Sequence, residues 1–214
     1  MGWQAFAISL QVTSLATVLV VLVGTAVGLL LARVKFPGIQ AVQAIFMLPL
    51  VLPPTVVGYY LLRFLGTGGP VEKLTGLNMV FTWGAAVLAS AIVAMPLMVQ
   101  SARAAIRGVD PVLENAARTL GSSELAVFFR VTLPLARRGL IAGTVLSAAR
   151  ALGEFGATLM VAGNIPGSTQ TLPLFIYDAV ANQNYWVVNL VVGLLTALGF
   201  VAFILVGRLE PAYK

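Results

Sequence analysis

The chain contains no cysteine and no histidine. The first absence excludes disulfides, thiol nucleophiles and thiolate metal ligands. The second removes the commonest general base and the usual imidazole ligand for zinc, copper or haem. Charge is scarce too: 9% of the 214 residues are Asp, Glu, Lys or Arg, where a soluble domain carries about 25%. No G-x-x-x-x-G-K-[ST] run occurs, and Gly66-Thr67-Gly68-Gly69 resembles a nucleotide loop only in its glycines. ATP is therefore not expected to bind by a P-loop on this chain.

What is abundant is apolar surface, at 59% of residues. A water-soluble fold of this length has no way to hide so much, but lipid is a solvent for it. The net charge of +6 would suggest nucleic acid in a soluble protein. In a membrane protein it marks cytoplasmic loops instead, so lipid is an expected partner and nucleic acid is not.

Five apolar segments are predicted to span, at about 8–31, 39–63, 79–102, 139–162 and 187–207. Each is long enough for the ~20 helical residues that cross a hydrocarbon layer about 30 Å thick. Each must be helical, because lipid offers no partner to backbone N–H and C=O groups. The first segment has no basic leading region and exceeds the usual apolar core of a signal peptide, so it is expected to be retained. Ten of the thirteen basic residues then fall on one face: Arg33, Lys35, Arg103, Arg107, Arg118, Arg130, Arg137, Arg138, Arg208 and Lys214. The positive-inside rule makes that face cytoplasmic, with the N-terminus outside and the C-terminus inside. With no internal repeat or linker, 1–214 reads as one all-α membrane domain.

The cytoplasmic loop 103–138 carries the densest signals. Asp110 is a good N-cap and Pro111 suits the first helical position. Val112 to Leu120 favours helix, and Gly121 is placed to end it. Ser122 or Ser123 can cap a second helix running through Arg130, which Leu133-Pro134 is expected to stop. Leu113, Ala116, Ala117 and Leu120 make one apolar face; Leu125, Phe128 and Phe129 make another. Two readings fit: surface helices packed on their own membrane domain, or a docking element for a cytoplasmic partner.

This stretch resembles the EAA motif of ABC-importer permeases. That pattern is E-A-A, a glycine four residues after the second alanine, and a late I-x-L-P. Asn115-Ala116-Ala117, Gly121, Val131, Leu133 and Pro134 fall at matching positions. Asn115 stands where the motif has glutamate, with Glu114 directly before it. The resemblance extends to Leu48–Tyr59, to Gly153–Thr158 and to Asn164–Gly167, which are similar to the molybdate permeases. It implies a MetI-like fold of five transmembrane helices plus short cytoplasmic coupling helices. It also implies an inner-membrane homodimer working with a cytoplasmic ABC ATPase dimer and an external oxyanion-binding protein. ATP and Mg would then be bound by the partner ATPase, with no cofactor on this chain. The ATPase-coupling residues it implies are Glu114, Asn115, Ala116, Ala117, Gly121, Leu125, Phe128, Leu133 and Pro134. Molybdate is the cargo it favours, with tungstate and sulfate as alternatives.

Within the spans, Pro49, Pro53 and Pro54 each remove a backbone donor. Carbonyls freed at membrane depth must face protein or a watery cavity. An ordinary packing kink and a helix lining the translocation path both fit. Arg150 and Glu154 are the charges inside a predicted span and sit at i, i+4, able to pair. A structural ion pair and a site beside the path again both fit. The candidate path residues are Pro49, Pro53, Pro54, Thr55, Arg150, Glu154, Phe155, Gly156 and Thr158. Gly24 and Gly28, and Gly139 and Gly143, are small-xxx-small pairs suited to close helix contact, within one chain or between two. An ion-coupled secondary transporter is the rival reading. Such proteins often show inverted repeats and intramembrane carboxylates; here Glu154 stands alone and no repeat is visible. A membrane enzyme would need a cluster of nucleophile, base or metal ligands, which the sequence does not offer.

Overall fold

The computed structural model describes residues 2–34 and 36–209. Lys35 and Lys214, counted above among the basic residues, lie outside them. Every regular element among the described residues is a helix: α1 (Gly2–Arg33), α2 (Ile39–Val51), α3 (Pro54–Leu65), α4 (Pro70–Thr75), α5 (Trp83–Arg107), α6 (Pro111–Thr119), α7 (Glu124–Val127), α8 (Leu133–Leu152), α9 (Gly156–Ala162), α10 (Leu172–Ala181) and α11 (Tyr185–Leu209).

The centre of the bundle is α5, held between α1 and α8. Its buried face is rich in alanine, with Ala85, Ala86, Ala89, Ala94 and Ala102 all enclosed. Small side chains let neighbouring backbones approach closely, which is how helices gain packing energy where lipid removes the hydrophobic drive. Both predicted glycine pairs serve this one helix. Gly24 and Gly28 bring α1 against Met98 and Ala102, and Gly139 and Gly143 bring α8 against Ala105 and Ser101. The contacts left open by the sequence are thus within one chain.

Three helices, α1, α5 and α11, are long and apolar enough to cross a membrane unbroken. The two other predicted spans are interrupted. The 39–63 segment breaks at Leu52-Pro53, and its direction changes by 116°. Leu52 is extended at φ −74°, ψ 141°, and so is Pro53 at φ −54°, ψ 137°. A residue before proline is pushed out of the helical region, and here two prolines follow in succession. Pro49, one turn earlier, stays inside α2.

The 139–162 segment, expected as one helix, breaks at Gly153–Phe155, where α8 and α9 meet at 59°. Glu154 supplies one replacement bond there: its Oε1 accepts the Ala157 N–H of α9 at 2.8 Å.

The 103–138 segment departs from expectation in one respect. Leu133-Pro134 does not stop the helix that begins at Glu124. A wide π turn at Phe128–Thr132 carries the chain directly into α8, with the Leu133 N–H bonded to the Phe128 carbonyl five residues back. Pro134 has no N–H for the carbonyl four residues earlier and its ring crowds that carbonyl. A wider turn just before it accommodates the ring. Pro134 therefore sits in the first turn of α8, where proline is tolerated.

Candidate functional site

Two surfaces gather the residues singled out from the sequence. The first is the helix pair α6–α7. Asp110 caps α6 by accepting the Val112 N–H at 2.9 Å. The helix ends on Gly121 at φ +83°, with the Gly121 N–H on the Arg118 carbonyl and the Ser122 N–H on the Ala117 carbonyl. That is the Schellman arrangement, which needs a left-handed residue at this point. Ser123 is the cap of α7, accepting the Ala126 N–H at 3.3 Å. Arg118 then ties the two helices together: its Nε donates to Glu124 Oε1 at 2.7 Å and its Nη1 to Asn115 Oδ1 at 2.8 Å. The hydrogen bond from Arg118 holds the Glu124 carboxyl below its ordinary value, and the same bond raises Arg118.

The outward side of this pair is apolar and uncovered. Leu120 is 87% exposed and Leu125 72%, and Val112, Leu113 and Phe129 are exposed with them. Ala116 is exposed and Ala117 half-buried. The second predicted face is split: Phe128 turns partly inward while Leu125 and Phe129 stay outside. Behind it lies a groove of about 790 Å³ between α7 and the C-terminal end of α1, lined by Leu29, Leu30, Leu125, Phe128 and Phe129.

The enclosed carboxylate of α6 is Glu114, directly before Asn115. Glu114 is 2% exposed. Both its oxygens are held by the Arg33 guanidinium, with Nη1 to Oε2 at 2.6 Å, and the Thr132 hydroxyl donates to Oε1. Asn115 points outward beside it. Arg33 and Thr132 were not among the residues singled out from the sequence; Arg33 reads there only as a basic flank. The signal was an uncharged run ending in an arginine, which says nothing of a partner 81 residues away.

The second surface is where the two broken spans meet. A methyl group on Gly156 would stand 3.2 Å from the Pro54 Cβ and 3.4 Å from the Thr55 nitrogen. The breaks are therefore side by side. One turn along, Gly58 packs on Ala157 and Met160. Pro53, Thr55 and Gly153 are exposed on the flank of the chain, Pro54 and Phe155 are half-buried, and Phe155 packs on Tyr177 with ring centroids 5.5 Å apart. Arg150 and Glu154 do pair, Nη2 to Oε2 at 2.9 Å, with Arg150 partly open and Glu154 enclosed. Thr158 and Gly156 are buried between helices and do not reach the open flank. Pro49 lies a turn away, within α2.

Residues 6–214 match the family described as binding-protein-dependent transport system inner membrane component. The chain belongs to this permease family. It is 48% identical over 194 residues to the putative molybdenum transport system permease protein YvgM of Bacillus subtilis, covering 86% of each chain. It is 48% identical over 182 residues to the molybdenum transport system permease protein ModB of Escherichia coli K12, covering 83% of this permease and 80% of that one. Solved structures share the fold at low identity. One is the methionine ABC transporter MetNI in inward-facing conformations, at TM-score 0.67 and 19% identity, covering 98% of this chain and 94% of that one. Another is a bacterial ABC transporter involved in the import of the acidic polysaccharide alginate, at TM-score 0.71 and 18% identity, covering 96% and 76%. The chain is thus a membrane permease subunit of the ABC-importer type, with a MetI-like all-helical fold.

Proposed function

We propose that this permease conducts molybdate into the cytoplasm as a homodimer, powered by a separate ATPase dimer and supplied by an external oxyanion-binding protein. The identity of 48% to molybdenum permeases over more than four fifths of the chain carries the choice of cargo. ATP and Mg belong to the partner ATPase in this reading. The exposed face of α6–α7, with Leu113, Ala116, Leu120, Leu125 and Phe129 uncovered, supports a docked cytoplasmic partner. Gly121, Leu133 and Pro134 shape that element, and Glu114 anchors it. The cytoplasmic side is the one bearing these helices, so the N-terminus is outside and the C-terminus inside, in the inner membrane.

The flank around Pro53, Thr55 and Gly153 is proposed to line the path between the two copies. Interrupted backbone at membrane depth is tolerated only against protein or water, so this flank does not face lipid. Arg150 offers a cation to the passing dianion. Glu154 holds that arginine and caps α9, which keeps the attraction weak enough for release. Closure of the ATPase dimer moves α6–α7 and switches the dimer between its outward and inward states.

The test is to reconstitute the dimer with its ATPase and binding protein and to compare stimulation of ATP hydrolysis by molybdate, tungstate and sulfate. Stimulation by molybdate is expected; stimulation by sulfate alone rejects the cargo.

A further inference from the structure

We infer that Arg33 is a positioning residue for energy coupling: it makes the inner end of α1 a receiver of the ATPase stroke, through the enclosed carboxylate of Glu114. This rests on the reading of α6–α7 as the coupling element.

Three elements meet at one carboxylate. Glu114 belongs to α6, Arg33 is the last residue of α1, and Thr132 is the last residue of the π turn that feeds α8. Arg33 engages both oxygens of Glu114, and the Thr132 hydroxyl adds a third donor. Such a fork fixes angle as well as distance, which a single hydrogen bond does not. The apolar side chains of α6 give little competing anchorage, since Val112 and Leu113 are exposed, as is Leu120 just past its end. Displacement of α6 is therefore passed through this carboxylate to α1 and α8 together, beside the Arg118–Glu124 tie to α7. Two further contacts make that point stiff. Arg107 Nη2 donates to the Leu31 carbonyl at 3.2 Å, binding the end of α1 to the end of α5. Gly28, one turn above, seats α1 directly on Ala102.

A buried carboxylate with both oxygens held by Arg33 also explains why Glu114 is unavailable to an ATPase. Its oxygens are already spent on this chain, so the docking contacts fall to the exposed apolar residues.

The test measures molybdate uptake per ATP hydrolysed in proteoliposomes containing the dimer, its ATPase and its binding protein. Removing Arg33 alone strands a buried carboxylate, so the primary variant neutralises both partners, Arg33→Gln with Glu114→Gln. With the ATPase still bound, its uptake per ATP is expected to fall about tenfold, as a coupling free energy of ordinary size implies. The charge exchange Arg33→Glu with Glu114→Arg is expected to recover most of that loss. A wild-type ratio in the neutral double variant overturns the inference. So does loss of ATPase binding in both double variants, which is what a merely structural contact produces. Failure of the coupling reading itself shows separately: wild-type permease would then not retain the ATPase at all, and no oxyanion would stimulate hydrolysis.

Discussion

Gly28 on α1 faces Ala102 on α5 so closely that a methyl group on it would stand 2.5 Å from the Ala102 Cβ and 3.0 Å from the Arg103 nitrogen. Backbone lies on one side of that gap, and it has little freedom to give way. Gly28→Ala is expected to destabilise the purified protein by about 1–3 kcal/mol, the usual penalty for overpacking. Gly193→Ala, with nothing within 4 Å, is the control. Thermal unfolding in detergent checks the pair. Equal melting temperatures would mean that α1 and α5 are not seated this way.

The exposed leucines separate docking from folding. Leu120→Asp and Leu125→Asp alter side chains that are 87% and 72% exposed, so stability should change by no more than about 0.5 kcal/mol. Co-purification with the ATPase should nevertheless be lost. Retention of the ATPase by both variants would exclude this face as the contact.

The Arg118–Glu124 pair gives a pH dependence with a definite sign. Glu124 is lowered from its ordinary 4.5 by the hydrogen bond from Arg118. A depressed carboxyl contributes stability that is present above the unfolded pKa and lost as pH falls through the folded pKa. The tie between α6 and α7 should therefore hold above pH 4.5 and loosen only below it. In Arg118→Ala the Glu124 carboxyl should titrate back toward 4.5, as read by carbon NMR of labelled glutamate. Because both side chains are at the surface, high salt should reduce the difference.

Glu154 carries two loads that substitution can divide. Glu154→Gln keeps an acceptor for the Ala157 N–H but loses the ion pair with Arg150; Glu154→Ala loses both. The alanine variant should be less stable than the glutamine variant by about 1 kcal/mol, the typical worth of a helix cap. Uptake should fall in Glu154→Gln and in Arg150→Gln. Normal uptake in both would remove the pair from the path.

These features differ in how far the sequence exposes them. The ends of α6 are legible because Asp110, Pro111 and Gly121 each act on the backbone next to them. The break at Leu52-Pro53 has the same local origin, in two consecutive prolines. The break at Gly153–Phe155 is hidden, since it depends on Glu154 reaching forward to a backbone N–H that a regular helix would leave to its own ladder. The π turn is hidden as well: Pro134 signals an interruption, and only packing decides between stopping the helix and widening it. Arg33 and Glu114 are far apart along the chain, and neither carries a local mark of the other. The motif places glutamate where this chain has Asn115; the enclosed carboxylate is the neighbouring Glu114, because that position faces Arg33 while 115 faces outward.

The most direct measurement is uptake of radiolabelled molybdate into proteoliposomes that contain the permease dimer and its ATPase, with ATP inside and the loaded binding protein outside. Accumulation that requires ATP and binding protein together, and persists when the proton and sodium gradients are collapsed, is the expected result. Uptake that follows an ion gradient and ignores ATP would contradict it.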